Sequence, residues 1–172
     1  ARFELEVRAA ARLTHPNTVT VFDYGKTPDG IFYYAMELLD GASLTQVVRA
    51  DGPLPPARVA RLLHQVASAL GEAHAAGLIH RDIKPDNIVV TERGRVPDVA
   101  KVIDFGLVKE TAVDGAAGLT AETTIVGTPM YLAPEAVKGD QRADGRSDLG
   151  QLEAFLDGQA GADPPPFVDQ RD

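Results

Sequence analysis

Three patterns in this 172-residue chain predict an α+β fold. A helical stripe runs into a pair of alternating strands near the N-terminus, a long amphipathic helix occupies the middle, and two short apolar strands flank a turn just after it. The length is enough for one domain with a sizeable core.

Each element has its own signature. Phe3, Val7, Ala10 and Leu13 recur at roughly helical spacing over residues 2–13, and Pro16 after His15 discourages the helix from continuing. Residues 18–24 alternate through Val19, Val21 and Phe22 as a strand, and the turn Thr27-Pro28-Asp29-Gly30 leads into a second strand over residues 31–37. Asp40-Gly41 reads as a linker into a short helix over residues 43–49. After Pro53-Leu54-Pro55-Pro56, Val59, Leu62, Leu63, Val66, Leu70 and Ala73 fall at i, i+3, i+4, i+7 spacing, while Arg58, Arg61, Gln65 and Glu72 lie mostly off that stripe. Prolines at its start and Gly77 past its end punctuate this helix. Ile88-Val89-Val90 and residues 99–103 are the two apolar strands, on either side of a turn at residues 92–95. Residues 110–126 are rich in Ala, Gly and Thr and read as a mobile loop. Gly161 to Asp172, with Pro164-Pro165-Pro166, reads as an extended tail.

Charge and composition narrow the function. Lys and Arg number 17 against 25 Asp and Glu, a net charge of −8. With no basic stripe carrying aromatics, nucleic acid is not expected as a partner. The absence of cysteine excludes disulfides, thiolate catalysis and Cys-type zinc sites. No window approaches 18 consecutive apolar residues and no signal-peptide h-region stands at the start. No membrane segment is therefore expected in this chain, and the expected location is cytoplasmic.

The chemistry concentrates in His80-Arg81-Asp82-Ile83-Lys84-Pro85-Asp86-Asn87, then Asp104-Phe105-Gly106, then Ala133-Pro134-Glu135. An acid, a cation and an amide within six residues, followed by a second acid one hairpin later, are what magnesium-dependent phosphoryl transfer needs. One carboxylate orients the attacking hydroxyl, a lysine neutralises the γ-phosphate, and an amide oxygen and the other carboxylate hold the metal. A lone Asp or Lys in a loop is usually just a solvated charge. The joint pattern carries the reading.

In that order the motifs resemble the catalytic domain of eukaryotic-type serine/threonine protein kinases, bacterial members included, over residues 2–149. Lys84-Pro85 and the run from Gly127 to Glu135 resemble the serine/threonine branch. The resemblance implies a protein-kinase-like fold truncated at both ends: a partial small lobe of helix plus strands with the hinge (1–39), a partial, mainly helical large lobe with catalytic and activation loops (40–149), and a divergent short helix with a Pro-rich tail (150–172). It implies ATP and Mg²⁺ as cofactors and a protein bearing Ser/Thr hydroxyls as substrate. By the same resemblance, Asp82 orients the hydroxyl, Lys84 meets the γ-phosphate, and Asn87 and Asp104 ligate the metal. Met36 would be the gatekeeper, Glu37 to Leu39 the hinge against adenine, and Val89 the floor beneath it. His80 would be structural, packed against Phe105, with no proton to transfer. Ala10, Val21, His80 and Phe105 match the stack that links the lobes. Glu6 would pair with a small-lobe lysine. Arg81 implies an anion-seeking pocket, with Thr124 the expected phosphosite and Thr120 and Thr123 as alternatives. Thr128 would contact the catalytic Asp and Lys, and Glu135 an arginine further on.

The chain also departs from that pattern. No Gly-rich loop and no Val-Ala-x-Lys strand occur in it. After Asp148-Leu149 the expected Tyr-x-Leu-Gly gives way to Gly150-Gln151-Leu152-Glu153. Leu149, Leu152, Phe155 and Leu156 make one apolar stripe, which predicts a short surface helix rather than a buried central post. The isolated chain is therefore expected to be inactive or severely impaired. The alternative is a pseudokinase-like binding module. A small-molecule kinase of the same fold would usually lack Lys84-Pro85 and the Gly127 to Glu135 run.

Overall fold

The computed structural model describes residues 9–105 and 145–161, with the side chains of the last helix through Ala154. The expectations for Glu6, the loop at 110–126, Thr124, Thr128, Glu135 and the Pro-rich tail lie outside those residues.

Residues 9 and 10 are helical, and the chain then turns toward β1 (Val21–Lys26) and β2 (Phe32–Met36), an antiparallel hairpin. Its turn is closed by Thr27, whose N–H donates to Ile31 O at 2.8 Å and whose carbonyl accepts from Gly30 N at 2.9 Å. The first strand starts later than the alternation predicts. Residues 17–19 pair elsewhere: Val19 N donates to Val102 O at 3.0 Å and Val102 N to Asn17 O at 2.8 Å. Alternation reports which residues face inward, but not which strand they pair with.

A second sheet has the order β3-β4-β5, with β3 (Gly41–Ser43), β4 (Ile88–Arg93) and β5 (Val96–Val102) antiparallel. Here the linker expected at Asp40-Gly41 is corrected: Gly41 begins an edge strand. A Cβ on Gly41 would collide with the carbonyl of Val90, so the absent side chain lets β3 approach β4. Ser43 ends β3 and caps α1 (Leu44–Asp51), its Oγ accepting from Gln46 N while the Gln46 side chain accepts from Ser43 N.

The long helix α2 (Pro56–Ala75) runs 20 residues, with Pro56 in its first turn. Val59, Leu62, Leu63, Val66, Leu70 and Ala73 are all buried, as predicted, and join Leu44, Ile83, Ile88, Ala100 and Val102 in one core. Each such Leu or Val contributes about 1.5–3 kcal/mol by leaving water. The residues off the stripe do more than face solvent. Arg58 donates through Nε and Nη2 to Asp98 on β5, at 2.8–3.1 Å, and Arg61 Nη2 reaches the same carboxylate at 2.6 Å. Glu72 accepts from the backbone N–H of His15 at 2.9 Å, and Gln65 Oε1 accepts from Asn17 Nδ2 at 2.8 Å. This polar face fastens residues 14–17 to α2.

The last described helix, α3 (Gly145–Gly161), corrects the surface-helix expectation. Of the predicted apolar stripe, Leu149 is 48 % exposed and Leu152 is buried in the core, and Ser147, Asp148 and Gln151 are buried beside it. The inner face carries these polar residues because it packs on irregular backbone, whose N–H groups need acceptors. Gly145 lies so close to α2 that a Cβ there would stand 2.8 Å from His74 Nδ1.

Candidate active site

Residues 78–87 form a loop between α2 and β4, ending in a 3₁₀ turn, Pro85–Asn87. The loop is held from three sides. Asp148, with no exposed surface, accepts from His80 N at 2.9 Å, from Arg81 N at 2.7 Å and lies 2.8 Å from His74 Nε2. Gln151 Oε1 accepts from Ile83 N at 2.7 Å and its Nε2 donates to Arg81 O at 3.3 Å. The two α3 side chains thus bracket Asp82. Arg81 has φ of 66°, a left-handed conformation that costs a non-glycine residue about 1–3 kcal/mol, and these hydrogen bonds hold it there.

His80 closes the third side. It is fully buried, its ring centroid 4.8 Å from that of Phe105. Its Nε2 bonds to Ile103 O at 2.9 Å, and its Nδ1 accepts from Asp82 N at 3.3 Å. An amide N–H needs an unprotonated acceptor and a carbonyl needs an N–H, so the ring is the neutral Nε2–H form. Burial pushes the His80 pKa below its usual value, which agrees with that assignment. Ala10 shares the core with Phe105, while Val21 is half-buried opposite Met36 on the hairpin.

Lys84 and Asn87 both stand against Asp82. Lys84 Nζ lies 3.2 Å from Asp82 Oδ2. Asn87 Nδ2 donates to Asp82 O at 2.8 Å and to Asp82 Oδ2 at 3.2 Å. Ile103 N donates to the Asn87 carbonyl at 3.0 Å, which sets Asn87 beside Asp104 at the end of β5. With its amide nitrogen committed to Asp82, Asn87 has its side-chain oxygen left for a cation. An amide oxygen and a carboxylate suit Mg²⁺, a hard ion that keeps several waters and takes phosphate oxygens as further ligands. Among the described residues no group of three or more His, Cys, Asp or Glu is placed to hold a metal ion.

The residues expected at the hinge, Glu37 to Leu39, follow β2, which ends at the expected gatekeeper, Met36. Glu37 N donates to Thr20 O at 2.9 Å, and its carboxylate accepts from Lys101 Nζ at 2.6 Å and Thr20 N at 2.9 Å. Burial works against the charge on Glu37, but the hydrogen bonds from Lys101 and Thr20 prevail and hold its pKa below the usual carboxylate range. Its side chain is therefore tied to Lys101 and to the backbone of Thr20. Met36 is 41 % exposed, Leu38 97 %, and Leu39 and Val89 are half-buried. The concave pocket bounded by Asp40, Val47, Arg58 and Val90, about 380 Å³, shares no residue with this site.

Sequence reasoning missed four residues here: Tyr34, Lys101, Asp148 and Gln151. Lys101 had a signal, a single cation inside the otherwise apolar stretch Val99 to Ile103. It is 1 % exposed and also donates to Thr18 O at 3.0 Å. Tyr34 had none: its hydroxyl donates to Asp104 Oδ1 at 2.9 Å. Burial first, then the neighbouring Asp104 charge and hydrogen bond, pushes the Tyr34 pKa up to about 12.

Residues 1–149 match the protein kinase domain family. The chain is 47% identical over 157 residues to the serine/threonine-protein kinase pkn3 of Myxococcus xanthus, covering 91% of this chain and 28% of that protein. It is 45% identical over 149 residues to the serine/threonine-protein kinase PknL of Mycobacterium tuberculosis, covering 86% of this chain and 35% of the relative. Among solved structures, the Mycobacterium tuberculosis PknI kinase domain aligns with a TM-score of 0.68 at 33% identity, over 90% of this chain and 53% of that one. The chain thus spans about a third or less of these curated relatives and about half of the solved domain.

Proposed function

The chain belongs to the serine/threonine protein kinase family, and from that premise we propose that it carries the catalytic and metal-binding residues of an ATP- and Mg²⁺-dependent phosphoryl transfer to Ser/Thr hydroxyls of a protein. The observation behind this reading is the convergence of Asp82, Lys84, Asn87 and Asp104, set by the Lys84–Asp82 contact of 3.2 Å and the Ile103–Asn87 bond of 3.0 Å.

Asp82 accepts the hydrogen bond of the substrate hydroxyl and aims its oxygen at the phosphorus. Lys84, beside it, meets the γ-phosphoryl oxygens, which keeps the two charges from simply neutralising each other once a phosphate enters. Asn87 and Asp104 would hold Mg²⁺, which would supply positive charge against the charge that develops on the phosphoryl group. Leu39 and the backbone of Glu37 receive adenine, with Met36 behind it and Val89 beneath. Residues 1–39 act as part of a small lobe and 40–149 as part of a large one, with 150–172 divergent. Glu6 and Thr128 support the active arrangement, Glu135 takes an arginine partner, and Arg81 reads a phosphate on the activation loop, at Thr124. A Gly-rich loop and a small-lobe lysine have no counterpart in these 172 residues, so the chain by itself presents a half-site. We place the protein in the cytoplasm; among the described residues no helix is long and apolar enough to cross a membrane.

The test is transfer of radiolabelled phosphate to a generic basic protein by a full-length version. Asp82→Asn and Asp104→Asn are each expected to slow it by about 10²–10³-fold or more, the loss that follows removal of one preorganised group. Activity within about tenfold of the parent for either variant would overturn the assignment.

A further inference from the structure

Tyr34 lies on β2, far along the chain from the catalytic loop, yet its hydroxyl donates to Asp104 Oδ1 at 2.9 Å. Its neighbours Phe32 and Tyr33 are exposed, whereas the Tyr34 ring packs on the core. The core thus sets the position of the ring and aims the hydroxyl. Asp104 is the complementary case. It stands just past the end of β5 with φ of 59°, so regular strand geometry does not orient its carboxylate. Among the described residues, Tyr34 supplies the side-chain hydrogen bond that does.

We propose that Tyr34 is a positioning residue for the metal-binding carboxylate. Its hydroxyl pins Asp104 Oδ1 and turns Oδ2 toward the cation. A neutral donor suits this task because it orients the carboxylate without cancelling its charge, whereas a lysine here would compete with the metal for it. A carboxylate has lone pairs for both partners at once. Carboxylates that ligate metals are commonly oriented by such a second hydrogen bond, and losing it typically weakens metal affinity about 10–100-fold. The contact also ties the β1–β2 hairpin to the metal site, so displacement of the hairpin would release Asp104. This proposal rests on the reading of Asp104 as a metal ligand.

The experiment is titration of the full chain with Mn²⁺ alone, the free ion followed by electron paramagnetic resonance. Tyr34→Phe keeps the ring and is expected to weaken Mn²⁺ binding about tenfold without a large change in melting temperature. Asp104→Asn is the control and is expected to abolish the binding. If Asp104→Asn still binds Mn²⁺ like the parent, the metal-site reading itself fails. If Asp104→Asn loses the ion but Tyr34→Phe binds it equally or more tightly, the positioning role alone is overturned. Should Tyr34→Phe not fold, chain labelled with 3-fluorotyrosine provides the second measurement. The Tyr34 fluorine resonance is expected to shift between the parent and Asp104→Asn, and an unmoved resonance overturns the proposal.

Discussion

His80 shows how a single residue can serve a catalytic loop without entering the chemistry. Its neutral ring donates a hydrogen bond to Ile103 O and accepts one from Asp82 N, so it bridges the segment before Asp104 to the peptide of Asp82. A second proton on the ring would break the Asp82 bond and place a charge in a fully buried position, where the carboxylates of Asp148, Asp82 and Asp104 offset only part of the cost of burial. The folded state therefore resists protonation, while the unfolded chain takes it up near the ordinary value of 6.5. A depressed folded pKa contributes stability above the unfolded value, and that stability drains away as pH falls below it. Urea unfolding is expected to show stability decreasing as pH falls from 7.5 through 6.5 toward 5. His80→Gln should be less stable at pH 7.5 but distinctly flatter across that range. An equal slope in both proteins would show that other groups carry the acid sensitivity.

At the scale of elements, α3 acts as a clamp on the catalytic loop. Its inner face presents acceptors to the N–H groups of His80, Arg81 and Ile83, none of which has a strand partner. Gln151→Leu is nearly isosteric, so it keeps the packing but leaves the Ile83 N–H buried without an acceptor. That orphaned donor costs about 1–3 kcal/mol, a loss to be read from the denaturation midpoint at unchanged slope. A loss below about 0.5 kcal/mol would mean that water replaces the glutamine and that the clamp rests on Asp148 alone. The β1–β2 hairpin is the opposite kind of element. It is a two-stranded sheet on its own, with Phe22 and Ile31 65–70 % exposed, and isolated hairpins are marginal in water. What holds it is the anchor at residues 14–19, through Glu72, Gln65 and β5, together with Tyr24 and Tyr34, which pack on the core, and the Tyr34–Asp104 hydrogen bond.

For the molecule as a whole, the two halves of the site are unequal. The half proposed to face phosphate is built from buried hydrogen bonds among α2, α3 and the loop before β4. The half proposed to face adenine is open: Leu38 is 97 % and Met36 41 % exposed. A nucleotide that stays half in water gains little from burial or from charge pairing, since both depend on excluding solvent. The 172-residue chain is therefore expected to bind Mg-ATP only weakly, with a dissociation constant well above micromolar in a calorimetric titration, and to turn over little or not at all. A micromolar constant together with measurable transfer would show that this open half suffices.

The sequence by itself determined what depends on near neighbours. The apolar stripe of α2 is visible because burial repeats every 3.6 residues, and the group Asp82, Lys84, Asn87 is visible because one short loop carries all three. Asp104 was legible through its motif, and the α+β class through the alternation of the hairpin. Only tertiary structure decided the rest, because the partners are remote in the chain. Lys101 reads as a stray cation until it meets Glu37, 64 residues away, and Tyr34 as a strand tyrosine until its hydroxyl finds Asp104, 70 residues away. In α3 the same limit produced an error: the apolar stripe found Leu152, which is buried in the core, but included the exposed Leu149 and passed over Asp148 and Gln151, which meet backbone N–H groups. Hydrophobic periodicity finds the part of a buried face that an apolar surface covers and misses the part that meets polar backbone.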